Sequence, residues 1–557
     1  MNSGILVELK TENGIRNLSV DRGIGLRELA EKYHNGEGEF PPVFATVDGE
    51  ITGMGSELRH SSMVEFYDMR SRLGRLMYQR TVYFLFQIAV NELIPGIRTT
   101  LRYPINDGLL VEFDRKIDIT KVFAWNVEKK MREIIAAGRP FEKQVLSREE
   151  IVSMGRPSYL SDRLVDLMLT GDADQVYVYS YGSFREEFID PLMESPAGVD
   201  IFELVPYDGN MIIRVPHFGS PGALRPYRDD KKLYRTFADV MEWRKITEVE
   251  YIDDLNRKII AGEWRDLILI SEAQHEKNIA AIADQIKKTG RRIILIAGPS
   301  ASGKTTFVQR LCIQLRVNGM RPLYMGTDDY FVERSEMVPD ETGKLNFEDL
   351  TAVDIDLFNQ QMNDLLRGKT VDMPVFDFIT GSKRYGVRIT RAEEDQPIVI
   401  EGIHALNPEL TSRISESEKF RVYISPLTVL NLDENNRIPV TDIRLVRRMA
   451  RDLRSRNRTA EETLEQWNSV RAGEEKNIFP FSVEADVLFN STVIYELAAL
   501  RPLVEEGLEK VQPGNEKYLE AQRILRMLRC VKPLEDYSNI STNSIIREFT
   551  GGGIWVK

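Results

Sequence analysis

The run Gly298-Pro299-Ser300-Ala301-Ser302-Gly303-Lys304-Thr305 sets two glycines, a lysine and a hydroxyl in the spacing G-x4-G-K-[ST]. Glycines so placed let consecutive backbone N–H groups curl around phosphate oxygens, and a helix opening at the lysine adds a positive partial charge. An apolar strand-like run, 293–297, precedes the motif and a helical pattern, 306–315, follows it, which is the context this chemistry requires. A ligand-free glycine turn is the alternative reading. With phosphate bound, Lys304 reaches the β- and γ-groups and the Thr305 hydroxyl ligates Mg2+. Gly298, Ser300, Ala301, Ser302, Gly303 and Thr306 complete the nucleotide cradle.

Nucleotide binding alone does not separate a GTPase, an ATPase motor and a small-molecule kinase. After the next strand-like run, 323–326, comes Thr327-Asp328-Asp329-Tyr330-Phe331. An acid at the carboxyl end of a parallel strand beside a phosphate loop can orient and deprotonate an acceptor hydroxyl; capping the next helix is the alternative role. Ile398-Val399-Ile400-Glu401-Gly402 is an apolar strand ending in an acid, placed to support Mg2+ directly or through water, or simply to solubilise a strand end. No N-K-x-D guanine-reading motif follows, which speaks against a GTPase. Residues 444–458 contain seven arginines against one acid, Asp452. Guanidinium groups bind phosphate in bidentate fashion and neutralise charge during its transfer. A solvated helix face and a local RNA-binding patch are the alternatives.

These residues need a scaffold. From 291 onward, β-rich runs at 293–297, 323–326, 398–401 and 421–424 alternate with helical ones, the pattern of a parallel sheet covered by helices. Helices are expected at 442–456, 460–471, 494–510 and 515–528. The rest of the chain divides upstream. Residues 1–70 read as a small α+β unit of strand, strand, helix, strand, strand, suggesting a β-grasp, with turn signals at Glu12-Asn13-Gly14 and Asp48-Gly49. Residues 71–215 are mixed, with a helix over 72–93 and strands at 108–113, 176–181 and 211–215. Residues 216–288 form a Pro/Gly-rich connector and a helical bridge. The kinase-like unit spans 289–510, and 511–557 hold a helix and a weakly structured tail.

The 557 residues predict three or four domains, and 42% hydrophobic content supplies their cores. With 74 Lys plus Arg against 86 Asp plus Glu, the net charge of -12 disfavours a protein-wide nucleic-acid surface. Cys312 and Cys530 are too few for a disulfide framework and suggest a reducing compartment. Residues 1–10 show no charged-then-apolar leader, and the longest apolar run, 82–90, is too short for a bilayer. A soluble, cytoplasmic chain without membrane partners is expected.

Taken with Asn346-Phe347-Glu348, Pro374-Val375-Phe376-Asp377-Phe378, Glu401-Gly402-Ile403, the arginine run from Arg444-Leu445-Val446-Arg447-Arg448 to Arg456-Asn457-Arg458, and Ala485-Asp486-Val487, the ordered motifs of 290–510 resemble the uridine kinase branch of the uridine kinase/phosphoribulokinase family. The resemblance implies an α/β P-loop kinase that transfers the γ-phosphoryl of Mg2+-ATP to the 5′-hydroxyl of a nucleoside. It assigns catalysis to Asp328, Lys304 and Arg451. Glu401 joins Thr305 at the metal, Arg456 joins the ATP site, and Glu348, Phe376, Arg448 and Arg458 face substrate with Asp328. Three departures bear on the substrate. The family's ribose-gripping Asp is Glu348 here, its pyrimidine-contacting Tyr is Phe376, and the His five residues beyond is Gly381.

The N-terminal half resembles the editing end of threonyl-tRNA synthetase: 1–70 its TGS domain, and 71–215 its second additional domain, best matched at 89–96 and 105–108. The family's H-x3-H metal positions are occupied by Arg80 and Phe84, and no cysteine precedes Cys312. The resemblance therefore implies a binding or regulatory module without editing chemistry. Three readings follow: a nucleoside kinase, a P-loop kinase for another small hydroxyl compound such as a sugar phosphate, and an RNA- or tRNA-responsive regulator touching RNA weakly through the N-terminal half. A homo-oligomer is expected.

Overall fold

The computed structural model describes residues 4–11, 14–34, 40–217, 219–337, 348–427 and 430–555, with backbone alone at 238–243 and 245. Glu12 and Asn13 of the first turn signal, and Asn346 and Phe347, lie outside the described residues.

In the first unit, strands Ile5–Thr11 and Gly14–Val20 pair antiparallel and helix Leu26–Tyr33 crosses to strands Phe44–Val47, Glu50–Thr52 and Ser62–Tyr67. Ile5–Thr11 runs parallel to Ser62–Tyr67 at the centre of the mixed sheet. Asp48 and Gly49, both at positive φ (51° and 87°), close the hairpin in the geometry that Asp-Gly favours. Leu26, Leu29 and Ala30 seal the helix onto the sheet.

The second unit is built around helix Arg72–Leu93, which reads apolar on most sides because two sheets and a helix surround it. One antiparallel sheet orders Glu203–Tyr207, Asn210–Arg214, Gly108–Phe113 and Thr99–Ile105; the other orders Phe184–Phe188, Gln175–Tyr181 and Glu142–Ser147. Helices Lys231–Thr247, Ile252–Ile260 and Trp264–Thr289 follow. The last is no free bridge: Leu267, Ile268, Ile279, Ile282 and Ile286 share one core with Phe307, Val308 and Leu311 of the helix after the phosphate loop.

The C-terminal sheet is wholly parallel, in the order Leu323–Gly326, Ile398–Glu401, Ile293–Ala297, Lys419–Ser425, Val487–Asn490. Covered on both faces, the central strand reads Ile-Ile-Leu-Ile-Ala with every residue buried. Between the second and third strands in sequence lies an antiparallel hairpin, Thr370–Asp377 with Ser382–Arg391, which the sequence patterns did not announce. Helices Val440–Ser455, Ala460–Asn477, Glu496–Glu509 and Tyr518–Arg529 complete the unit. The tail departs from expectation: Ile545, Ile546 and Phe549 are fully buried, so residues 534–555 are a packed part of this body.

The stretch 430–439, which leads into helix Val440–Ser455, threads through the second unit. Asn431 Nδ2 donates to Leu101 O (2.8 Å) and the Leu101 N–H to Glu434 O (2.8 Å). Asn435 accepts from Gln87 (2.9 Å) and donates to Glu186 (2.6 Å), while the Ile189 N–H donates to Asn436 (2.8 Å). Asp442, in the first helical turn and fully buried, is gripped by Arg523 (2.7 and 2.9 Å) and by Arg72 of the second unit.

This junction concentrates acids. Burial, reinforced by neighbouring carboxylates, pushes Glu186, Glu187 and Asp433 each up to about 7. With folded values above the ordinary carboxylate range near 4, their stabilising contribution is full below that range and is lost as pH rises through about 7. The thermal midpoint of the full chain is expected to fall between pH 6 and 8, and Glu186→Gln to flatten that fall. A wild-type midpoint independent of pH over this interval, or an unchanged slope in the variant, contradicts the assignment.

Candidate active site

The phosphate loop forms because strand Ile293–Ala297 must turn sharply into helix Lys304–Val317 at the carboxyl edge of the sheet. Gly303 makes the turn at φ 86°. A Cβ at Gly298 would collide with the carbonyl of Ile424 on the neighbouring strand, so the loop lies directly on the sheet. Lys304 Nζ folds back on the loop, donating to Gly298 O (2.8 Å) and Pro299 O (3.2 Å). Burial lowers its pKa, while Glu401, Glu548 and Glu474 oppose that shift.

Glu401 ends the adjacent strand. Thr305 Oγ1 donates to its Oε1 (3.2 Å) and the Tyr324 hydroxyl to its Oε2 (2.9 Å). Burial raises the Glu401 pKa and the Lys304 charge pulls it back. Asp328 follows the strand Leu323–Gly326; its carboxylate is accessible from the cavity, yet desolvation by the surrounding protein raises its pKa against the pull of Lys304. Glu348 is raised too, by burial and by nearby Glu474. A Cβ at Gly473 would strike the Glu348 carboxylate, so a glycine lets helix Ala460–Asn477 pass over it.

These groups border one cavity of about 490 Å³. Of the residues expected from sequence, Ser300, Ala301, Ser302, Gly303, Lys304, Thr305, Asp328, Glu348, Glu401, Arg448, Arg451 and Arg456 line it. Gly298, Thr306, Phe376 and Arg458 do not border it. Thr306 Oγ1 donates to Glu548 (3.2 Å), and Arg458 donates to Gln466 (2.5 Å), which also accepts from Arg448 (3.4 Å). Phe376 is buried edge-on against Phe331 and Phe378 in the core beneath the hairpin.

The arginine run splits by burial. Arg444 and Arg447 are fully buried. Arg444 pairs with Glu474 and donates to Ser300 O (2.9 Å); Arg447 pairs with Glu496 (2.5 Å) and donates to Ser491 O (2.8 Å). Both buttress the phosphate loop from below. Arg448 donates to Ser300 Oγ (3.0 Å), and Arg451, lowered to about 10 by burial and by Arg456, lies 3.8 Å from Glu548. Arg454 reaches the carbonyl of Glu548 (3.4 Å). Tyr324, Glu474 and Glu548 are site residues that sequence reasoning missed. Glu474 accepts from the Ser300 N–H (2.8 Å), but nothing in its helical context marks it.

A glycine-rich loop between a parallel strand and a helix, acids at two neighbouring strand ends and arginines opposite define a P-loop phosphotransferase site. Residues 293–497 match the family described as "Phosphoribulokinase / Uridine kinase family". The chain is 30% identical over 197 residues to a uridine kinase of Anoxybacillus flavithermus, covering 35% of this chain and 84% of that protein. It is 31% identical over 184 residues to a uridine kinase of Histophilus somni, covering 32% and 76%. A solved structure of a possible uridine kinase from Bacillus stearothermophilus aligns at 23% identity with 38% of this chain and 98% of that one, at a TM-score of 0.26. The chain belongs to the phosphoribulokinase/uridine kinase family, and it is an ATP-dependent kinase. No described helix is long and apolar enough to cross a membrane.

The two buried arginines should behave as structure. Arg447→Ala strands Glu496 in the core and is expected to cost about 3–5 kcal/mol. Urea unfolding followed by tryptophan fluorescence reads this loss; a change below about 1 kcal/mol contradicts a structural pair.

Proposed function

We propose that the 490 Å³ cavity transfers the γ-phosphoryl of ATP to the 5′-hydroxyl of a nucleoside. The observation that carries this is Asp328: an accessible carboxylate with a raised pKa, facing the Lys304 and Glu401 wall of a phosphate-loop cavity. In this reading the loop amides and Lys304 bind the triphosphate, and Arg448, Arg451 and Arg456 meet the charge that develops on the transferred group. Asp328 takes the proton of the acceptor hydroxyl as the new O–P bond forms, a role its raised pKa favours.

The oxygen donors of Thr305 and Glu401 suit a hard cation, and these two residues would hold Mg2+. When bound, Mg2+ neutralises charge across the β- and γ-phosphates.

A second reading, a kinase for another small hydroxyl compound, is favoured by one feature. Phe376 does not border the cavity, and position 381 is a glycine at φ 71° packed against Arg334. The pyrimidine-reading side chains of the family therefore lack direct counterparts, while Glu348 retains a place at the acceptor end.

For the N-terminal half we infer a TGS-like β-grasp at 1–70 and an editing-type fold at 71–215 without editing chemistry. Arg80 is paired with Asp190 (3.2 Å), and Phe84 is packed among Phe141, Phe184 and Phe188, which supports a positioning role instead of a metal site.

ADP release by the full chain across a panel of nucleosides tests the proposal. At least one nucleoside should stimulate release, and Asp328→Asn should lower the stimulated rate by about 10²–10⁴-fold. Nucleosides giving only background release while a sugar phosphate or polyol is turned over would overturn the nucleoside assignment and leave the kinase.

A further inference from the structure

The C-terminal segment reaches the phosphate site from outside the family-matched residues 293–497. Its course is fixed at several points. The Leu534 N–H donates to Ala498 O (2.8 Å) and the Tyr537 hydroxyl to Ala499 O (2.7 Å). Arg547 ties the segment to itself through the carbonyls of Tyr537 (2.7 Å) and Ile540 (2.8 Å). Phe549 is fully buried beneath the Arg447 guanidinium (5.1 Å).

Two residues of this segment meet the phosphate loop. Ile545 packs so closely on Gly303 that a Cβ there would collide with it. Glu548, 7% exposed, points its carboxylate into the cavity wall. One oxygen accepts from Thr306 Oγ1 at 3.2 Å, and the other lies 3.8 Å from Arg451 Nη1. Among the described residues, Arg451 has one other anionic neighbour in reach, Asp452 at 3.8 Å, which is shared with Arg448 (3.4 Å) and Arg456 (3.1 Å). Without Glu548, three guanidinium groups would share one carboxylate, and mutual repulsion would drive Arg451 away from the loop.

We propose that Glu548 is a positioning residue of the kinase site: the Thr306 hydroxyl anchors its carboxylate, which holds Arg451 over the phosphate loop. The tail thus supplies an acid that completes the nucleotide site in this chain. The proposal rests on the reading of Arg451 as a group that meets the transferred phosphate. Its expected signature is a loss in kcat with little change in KM for ATP, because a displaced Arg451 fails chiefly when charge develops on the phosphoryl group.

The test is a double-mutant cycle in the full chain, reading ADP release from Mg2+-ATP with the best acceptor of the nucleoside panel, or with water if no acceptor is found. Glu548→Ala should lower kcat about 10–100-fold with an ordinary thermal midpoint, and Glu548→Asp should restore part of it. In the Arg451→Ala background, Glu548→Ala should cost little more, since the acid acts through the arginine. Full additivity, or an Arg451→Ala loss with unaltered Glu548→Ala activity, overturns the proposal. A rise in kcat/KM for ATP in Glu548→Ala overturns it too, marking the carboxylate as an obstacle to nucleotide. Arg451→Ala without effect instead removes the reading of Arg451 on which it rests.

Discussion

A guanidinium withdrawn from water is tolerable only where acceptors surround it, and helix Val440–Ser455 depends on that condition more than any other element here. Arg444 and Arg447 are buried beneath the phosphate loop, each against a carboxylate from a different helix and each donating to a backbone carbonyl. Those pairs fix the helix, its position fixes which arginines face the cavity, and the loop rests on the same side chains. The acids that make this possible, Glu474 and Glu496, begin no recognisable motif; they are conditions for the motif to work.

The same helix joins the two halves of the chain. Its first turn is anchored by Asp442, held by Arg72 from the second unit and Arg523 from a C-terminal helix. The stretch leading to it is hydrogen-bonded into the second unit at Leu101, Gln87 and Ile189. The second unit is thereby a mechanical support for the helix that carries the arginines of the kinase cavity.

Much of this was legible in sequence where chemistry is local. The phosphate loop, the strand ends carrying Asp328 and Glu401, and the parallel order of short apolar runs are patterns of adjacent residues, and the structure brings them to one cavity. The arginine run was legible only as a concentration of charge. Arg444, Arg448 and Arg451, at i, i+4 and i+7, share one helical face and Arg447 lies on the neighbouring one, yet both Arg444 and Arg447 reach the phosphate loop. Burial, which separates buttressing from cavity-facing groups, depends on partners 30–148 residues away and has no local sign. For the same reason the tail read as weakly structured: three glycines and scattered apolar residues conceal Ile545, Ile546 and Phe549, whose partners lie across the domain. Phe376 shows the converse: its motif position points to the substrate, and its ring packs on Phe331 and Phe378.

Transfer of a phosphoryl group to a small hydroxyl acceptor distinguishes a kinase cavity from one that merely hydrolyses ATP. Phosphorus NMR of the full chain with Mg2+-ATP and a nucleoside tests it directly. A phosphomonoester resonance growing in step with ADP is expected, and inorganic phosphate as the sole product beside ADP would contradict transfer to an acceptor.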